Sequence, residues 1–160
     1  MEVNNLSHNS TNYNDIYFGT LKKVRTKGFF DTKWKINKDI VDEFHKSKPI
    51  KEFFDKYNGY AEFNESGSLS PILNFCCLTL KFKNSDRKSK NIFERILSKI
   101  KGYSCEINID AIEWRGFGLN TDKMLLKKIK TLKSKELEDA VKSTNERRYT
   151  YIFANKDSFS

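Results

Sequence analysis

The stretch 72-ILNFCCLTLKFK-83 has a nearly continuous apolar centre from Phe75 to Leu80. An apolar run this short predicts a strand that lies inside a sheet. The segment from Tyr103 to Trp114 alternates instead, which is typical of a half-exposed strand. One face of this segment carries Cys105, Ile107, Ile109 and Ala111. Together, these two segments predict a sheet with an apolar face turned towards a core.

Helical periodicity appears between the predicted strands. Apolar spacing predicts a short helix after Asn37, a second from Pro49 to Asn58, and a third from a cap at Ser85 or Asp86 to Lys101. A further helix begins at Thr121, with a restart at Ser134. The third helix ends at Gly102, and its apolar stripe consists of Ile92, Phe93, Ile96, Leu97 and Ile100.

The remaining strands complete an α+β pattern. Segments Ile16–Val24 and Phe29–Ile36 predict a hairpin across the turn Arg25–Gly28, and Tyr60–Asn64 and Tyr149–Ala154 predict two more strands. The order β-β-α-α-β-β-α-β-α-β favours a mixed or mainly antiparallel sheet with helices packed on it. We expect residues 1–14 to be a disordered tail and residues 15–160 to form a single domain.

Composition bounds the cellular setting and the class of partner. The chain has 160 residues, a formal net charge of +9 and three cysteines without paired spacing, so it predicts no disulfide framework. The N-terminal segment lacks the apolar core of a signal peptide, and no apolar run approaches membrane-spanning length. We therefore expect a cytoplasmic protein without a membrane partner, whose charge favours nucleic acid, an acidic protein surface or a nucleoprotein complex.

Convergent catalytic residues are not evident in the sequence. The two histidines, His8 and His45, are far apart, and no short Cys/His spacing predicts a zinc site. Glu106 and Asp110 share one strand face with Asn108 between them, an arrangement that can hold Mg²⁺ but is more often a solvated face. We predict no catalytic residue, metal or cofactor, and we interpret the protein as non-enzymatic.

Basic residues supply the candidates for binding a partner or a phosphate. They form a cluster at one strand-to-helix turn, a row on one helical face and a pair before the last strand. They are Lys81, Lys83, Arg87, Lys88 and Lys90 at the turn, Lys123, Lys127 and Lys130 on the helix, and Arg147 and Arg148 in the pair. Phe29, Phe30 and Trp34, interleaved with lysines in the predicted hairpin, are candidates for an aromatic interface.

The glycine-containing segment Arg115-Gly116-Phe117-Gly118-Leu119-Asn120 lies between a predicted strand and a predicted helix. It resembles the pyrophosphate loop of acetyl-CoA-dependent N-acetyltransferases, with Arg115 and Gly118 in matching positions and Asn120 in place of the family's last small residue. The resemblance covers this loop alone. It implies acetyl-CoA binding at a helix N-terminus, and as a tight strand-to-helix connection the loop needs no ligand.

In size and overall character the chain resembles the small anti-CRISPR proteins, which block a Cas nuclease by occupying it. The resemblance implies a non-enzymatic inhibitor of a nucleic-acid-processing enzyme such as a Cas9-type nuclease, encoded by a phage or mobile element. It would act by occupying the enzyme or blocking a nuclease-domain movement. Two alternatives stay open: a basic nucleic-acid-binding module, and an acetyltransferase-like protein.

Overall fold

A computed structural model describes the backbone of residues 16–18, 21–28, 38–66, 73–114 and 120–154, and the side chains of residues 38–64, 75–112 and 120–154. These ranges contain strands and helices in an order close to the predicted one. The strands are β1 (Ile16–Phe18), β2 (Leu21–Gly28), β3 (Gly59–Ser66), β4 (Leu73–Phe82), β5 (Cys105–Trp114) and β6 (Tyr149–Phe153). The helices are α1 (Lys38–Lys46), α2 (Lys48–Lys56), α3 (Ile92–Lys101), α4 (Thr121–Thr131) and α5 (Ser134–Thr144).

The strands form one sheet in sequential order, from β1 at one end to β6 at the other. Neighbouring strands are antiparallel except for the pairs β2–β3 and β5–β6, which are parallel. Each parallel pair is joined by two consecutive helices, α1 with α2 and α4 with α5, because a parallel connection must return the chain to its starting end. The predicted α+β single domain with a mixed sheet is therefore confirmed.

The core lies between one face of the sheet and the helices α1, α2, α4 and α5. The alternating residues Cys105, Ile107, Ile109 and Ala111 are all buried on this face, as the sequence predicted. The helices bury their apolar stripes against it, including Phe44, Ile50, Phe53, Leu125 and Ile129. The second helix begins with Pro49 in its first turn, where the missing N–H of proline costs no hydrogen bond.

The N-terminal antiparallel pair is formed by other residues than those predicted. β1 and β2 pair in antiparallel fashion, and the predicted turn Arg25–Gly28 lies inside β2, where it pairs in parallel with Glu62–Glu65 of β3. Strand pairing with β3 supplies backbone partners that the local turn signal of Gly28 could not reveal. The predicted second hairpin strand, Phe29–Ile36, lies outside the described residues.

Two predicted helix starts are displaced. α3 begins after Asn91, whose side chain accepts a hydrogen bond from the backbone N–H of Glu94, so the cap is neither Ser85 nor Asp86. α4 is capped by Asn120, which accepts from Lys123 N–H, and Thr121 is its first residue. In both cases an asparagine oxygen satisfies an N–H group that the helix leaves unpaired. The predicted end of α3 at Gly102 is confirmed, with φ at 74°.

The second face of the sheet, here called the polar face, carries Glu62 of β3, Cys77, Thr79 and Lys81 of β4, and Asp110 of β5. The strand register aligns these residues across the sheet, and all of them are buried. Asp110 therefore departs from the predicted exposed row, while Glu106 and Asn108 are half-buried, in line with it. In the described part of the chain, no helix is long and apolar enough to span a membrane.

Candidate interaction surface on α3

The apolar stripe of α3 points away from the domain. Its side chains are between 42% and 76% exposed, and the helix has no buried residue. The members of the stripe are Ile92, Phe93, Ile96, Leu97 and Ile100. At 100° per residue they occupy a continuous sector of about 140° of the helix. A contiguous apolar surface of this kind marks an interaction site more often than a scattered exposed leucine does.

Polar contacts hold α3 to the domain by its opposite side. The guanidinium of Arg87 lies 3.3 Å from a carboxylate oxygen of Glu94 and also donates to the backbone oxygen of Thr144 at the end of α5. The backbone N–H of Lys90 and the charge of Arg87 together lower the pKa of Glu94. Glu94 is therefore ionised at neutral pH and links α3 to the buried end of α5.

Cations border the exposed stripe. Lys101 follows it on one side of the helix, and Arg95 and Lys99 flank it on the other, by the same 100° spacing. All three are exposed. Lys88 and Lys90, also exposed, precede the helix. The surface that α3 offers is thus an apolar strip with a positive rim.

A second exposed apolar set lies on the edge strand β6. Among the described residues, large exposed apolar side chains occur only on α3 and on this strand, at Tyr149, Tyr151 and Phe153. Arg148 lies between β6 and the polar side of α3, because it lines a narrow cleft with Glu94 and Ser98 and its guanidinium lies 5.3 Å from the ring centroid of Tyr149. Tyrosine and arginine side by side are typical of the energetically dominant centre of protein interfaces.

The buried polar face holds a connected network rather than an open site. Lys81 Nζ lies 2.9 Å from Glu62 Oε2 and 4.9 Å from the ring centroid of Tyr103. Burial disfavours the lysine charge, but the hydrogen bond and charge of Glu62 outweigh burial and raise the pKa of Lys81. A lysine held protonated in this way is a poor general base.

Beside this pair, Thr79 donates to Asn108 Oδ1 at 2.8 Å, and the Cys77 thiol lies 3.3 Å from the Thr79 hydroxyl. Burial and the neighbouring Asp110 raise the pKa of Cys77 far above its usual value. Because the thiolate is the nucleophilic form, this cysteine is unsuited to covalent catalysis. No group of metal-ligating side chains is found in the described ranges.

Known proteins give no family assignment. A scan of protein-family models found no matching family, and searches of curated proteins and of solved structures found no match.

The structure separates the predicted basic residues into paired and exposed ones. Lys81 is buried in its ion pair with Glu62, and the Arg87 side chain is only 6% exposed against Glu94. Lys81 and Arg87 are therefore not part of an exposed basic cluster, contrary to the prediction. Arg148 is half-buried beside Tyr149. The exposed ones are Lys83, Lys88, Lys90, Lys123, Lys127, Lys130 and Arg147.

Other predicted candidates lie largely outside the described residues. Phe29, Phe30 and Trp34 are among them, as is the loop segment from Arg115 to Leu119. Of the loop predicted to bind a phosphate, Asn120 alone is described, and its carboxamide caps α4. Its side chain therefore occupies a helix N–H group that a phosphate would otherwise use.

Sequence reasoning missed the aromatic face of β6. The signal was present, because Tyr149, Tyr151 and Phe153 alternate with Thr150 and Ile152 over five residues. Alternation places the three rings on one side of the strand, but it does not distinguish a buried side from an exposed one.

Proposed function

We propose that this protein is a non-enzymatic protein-binding module that inserts α3 into an apolar groove with an acidic rim on its partner. The observation that carries the proposal is the outward apolar stripe of α3 on a helix with no buried residue. Helix-in-groove recognition uses apolar anchors spaced along one helical face. Here Ile92, Ile96 and Ile100 form one row, with Phe93 and Leu97 beside it.

The exposed apolar area of α3 contributes a large favourable free energy to binding. Each of the five side chains contributes about 1.5–3 kcal/mol when fully buried, and their present exposure means that most of this free energy is still unused. Burying their exposed fractions would supply roughly 5–9 kcal/mol, which offsets only the lower part of the association cost of about 4–15 kcal/mol, so the cationic rim must contribute as well. The aromatic residue Phe93, 75% exposed, offers the largest single area.

Charge argues for a heterologous partner rather than a second copy of the chain. Two α3 helices packed face to face would bring Arg95, Lys99 and Lys101 of both copies together, and such like-charge juxtaposition is costly. A groove bordered by aspartate or glutamate would pair with these cations instead. It would also speed encounter, since the whole chain carries a net charge of +9.

The partner class proposed is a nucleic-acid-processing enzyme, with a Cas9-type nuclease as the first to test. The support is the overall resemblance to small anti-CRISPR proteins together with an interaction helix that needs no catalytic machinery. Occupying a groove beside a moving nuclease domain would block that movement, and a bound α3 would thereby act as an inhibitor.

The test measures DNA cleavage by a panel of Cas9-type nucleases loaded with guide RNA, with and without the protein. Wild type is compared with the variant Ile96→Ser/Ile100→Ser and with the control Lys127→Ser/Lys130→Ser on α4, which alters another exposed helix. Inhibition and co-elution by wild type and the α4 control, with loss in the α3 variant, would support the proposal. Equal inhibition by all three proteins would refute the role of α3, and no inhibition of any nuclease would refute the partner class.

A further inference from the structure

We infer that the aromatic face of β6 is a stacking site for single-stranded nucleic acid. Tyr149, Tyr151 and Phe153 are 44%, 55% and 42% exposed. Their register partners on β5 are Glu106, Asn108 and Asp110, so all three rings project from the polar face of the sheet. On the other side of β6, Ile152 packs against the core.

Ring geometry suits base stacking. The rings of Tyr151 and Phe153 lie 6.1 Å apart between centroids and within 11° of parallel. Two parallel aromatic faces on alternate residues of a strand offer successive platforms to unstacked bases, and every base has a π-face, so the contact tolerates sequence. Bases inside a duplex are already stacked on one another and cannot use such platforms.

Two arginines lie beside the aromatic row, where they could bind the phosphates of a nucleic-acid strand. Arg147 is exposed, and the guanidinium of Arg148 lies 5.3 Å from the ring centroid of Tyr149 and 5.9 Å from that of Tyr103. A planar guanidinium beside an aromatic row can both stack and pair with a phosphate. Glu94 shares a cleft with Arg148 and interacts with its charge, so Arg147 is the cation with the freer access to a phosphate.

Asn108 adds a hydrogen-bonding group beside the central ring. It is the register partner of Tyr151, and its Oδ1 accepts from the Thr79 hydroxyl at 2.8 Å. This bond fixes the carboxamide so that Nδ2 is the donor left for a base edge. The resulting site combines two stacking rings, one amide donor and two arginines along a single sheet edge.

The test measures fluorescence anisotropy of a short labelled oligothymidine at low salt, with a labelled duplex as comparison. Wild type is expected to bind the single strand in preference to the duplex. Tyr151→Ala should weaken binding roughly 5- to 150-fold, the range given by stacking on one ring, and Tyr151→Phe should retain it. Arg147→Gln should lower the slope of log affinity against log salt by about 0.7, the value for one phosphate contact on a single strand.

Tyr151→Leu separates stacking from general apolar contact, because leucine keeps apolar area without a ring face. Equal affinity of Tyr151→Leu and wild type would overturn stacking, and it would mark β6 as an extension of the protein-binding surface. Absence of any anisotropy change with wild type at low salt would overturn the site altogether. Since Tyr151 is exposed, thermal melts of the variants should match wild type, which excludes unfolding as the cause.

The site is independent of the proposed function of α3. The variant Ile96→Ser/Ile100→Ser should bind the oligonucleotide as wild type does, and Tyr151→Ala should leave nuclease inhibition through α3 intact. If the α3 variant also loses the oligonucleotide, the two surfaces are one site and the inference of a separate stacking platform is wrong.

Discussion

Replacing Lys81 by methionine tests the buried pair that crosses the centre of the polar face. The side chains of Lys81 and Glu62 are 11% and 3% exposed, and their charged atoms lie 2.9 Å apart. Methionine matches the length of the lysine stem, so the substitution removes the ammonium group and leaves little cavity. The buried carboxylate of Glu62 then loses the ammonium group of Lys81, which lies 2.9 Å from it.

The expected loss is large because the Glu62 side chain is only 3% exposed, so water cannot take the place of the ammonium group. Removing one partner of a buried ion pair costs about 3–5 kcal/mol. Folded domains have free energies of unfolding of about 5–15 kcal/mol in total, so the variant should be marginal. Replacing both residues, as in Glu62→Met/Lys81→Met, removes the desolvated charge and should recover most of the loss.

Urea denaturation followed by circular dichroism measures both variants. With a slope of about 1–3 kcal/mol per molar urea, the midpoint of Lys81→Met should fall by roughly 2 M. The control is Lys142→Met, because the Lys142–Asp139 pair is 74% and 58% exposed at 3.6 Å and its loss should cost at most about 1 kcal/mol. If Lys81→Met is no more destabilised than this control, the pair is solvated in solution and the reasoning fails.

Further predictions concern one buried charge, one helix cap and one close backbone approach. Burial raises the pKa of Asp110 above its usual value, so the stability that this carboxyl contributes is present in acid and is lost as the pH rises through the raised pKa. Asp110→Asn should therefore increase the free energy of unfolding near neutral pH by about 1 kcal/mol or more, with less effect in acid. Thermal melts at both pH values measure the difference. Asn91→Ala removes the cap of α3 and should cost that helix about 1 kcal/mol, seen as faster amide exchange in its first turn while exchange in β4 is unchanged. Gly59→Ala would force a Cβ into the carbonyl oxygen of Lys81 and should destabilise the domain by about 1–3 kcal/mol or more; an unchanged melting temperature would contradict the close approach of β3 and β4.

The core residues could be predicted because the spacing of apolar residues in these segments matched the period of a strand or a helix. The alternation of β5 and the stripe of α2 placed Ile107, Ile109, Phe53 and Phe54 inward, and all four are buried. A strand or helix that contributes to the main core shows its burial directly in the spacing of its apolar residues. The boundaries that failed were those set by pairing with distant strands, as in β2, where the local turn signal lost to the parallel ladder with β3.

The burial of the polar face could not be predicted. Alternation shows which residues share one side of a strand, but it does not show whether that side is exposed or buried. Glu62, Lys81 and Asp110 have the composition of a solvated strand face, yet all three are buried. Only the three-dimensional register brings Lys81 beside Glu62 and Cys77 beside Asp110. The same limit hid the candidate stacking site, whose rings have the sequence signature of a core strand.

The orientation of α3 is consistent with the proposal that its stripe is a docking surface. An amphipathic helix of a single domain normally turns its apolar side inward. The contacts that prevent this are specific: Glu94 binds Arg87, and Arg87 in turn binds the end of α5. Keeping five apolar side chains in water forgoes several kcal/mol of burial, a cost that a partner's groove would recover. The buried Arg87 side chain therefore holds α3 with its apolar side outward, as the proposed docking role requires.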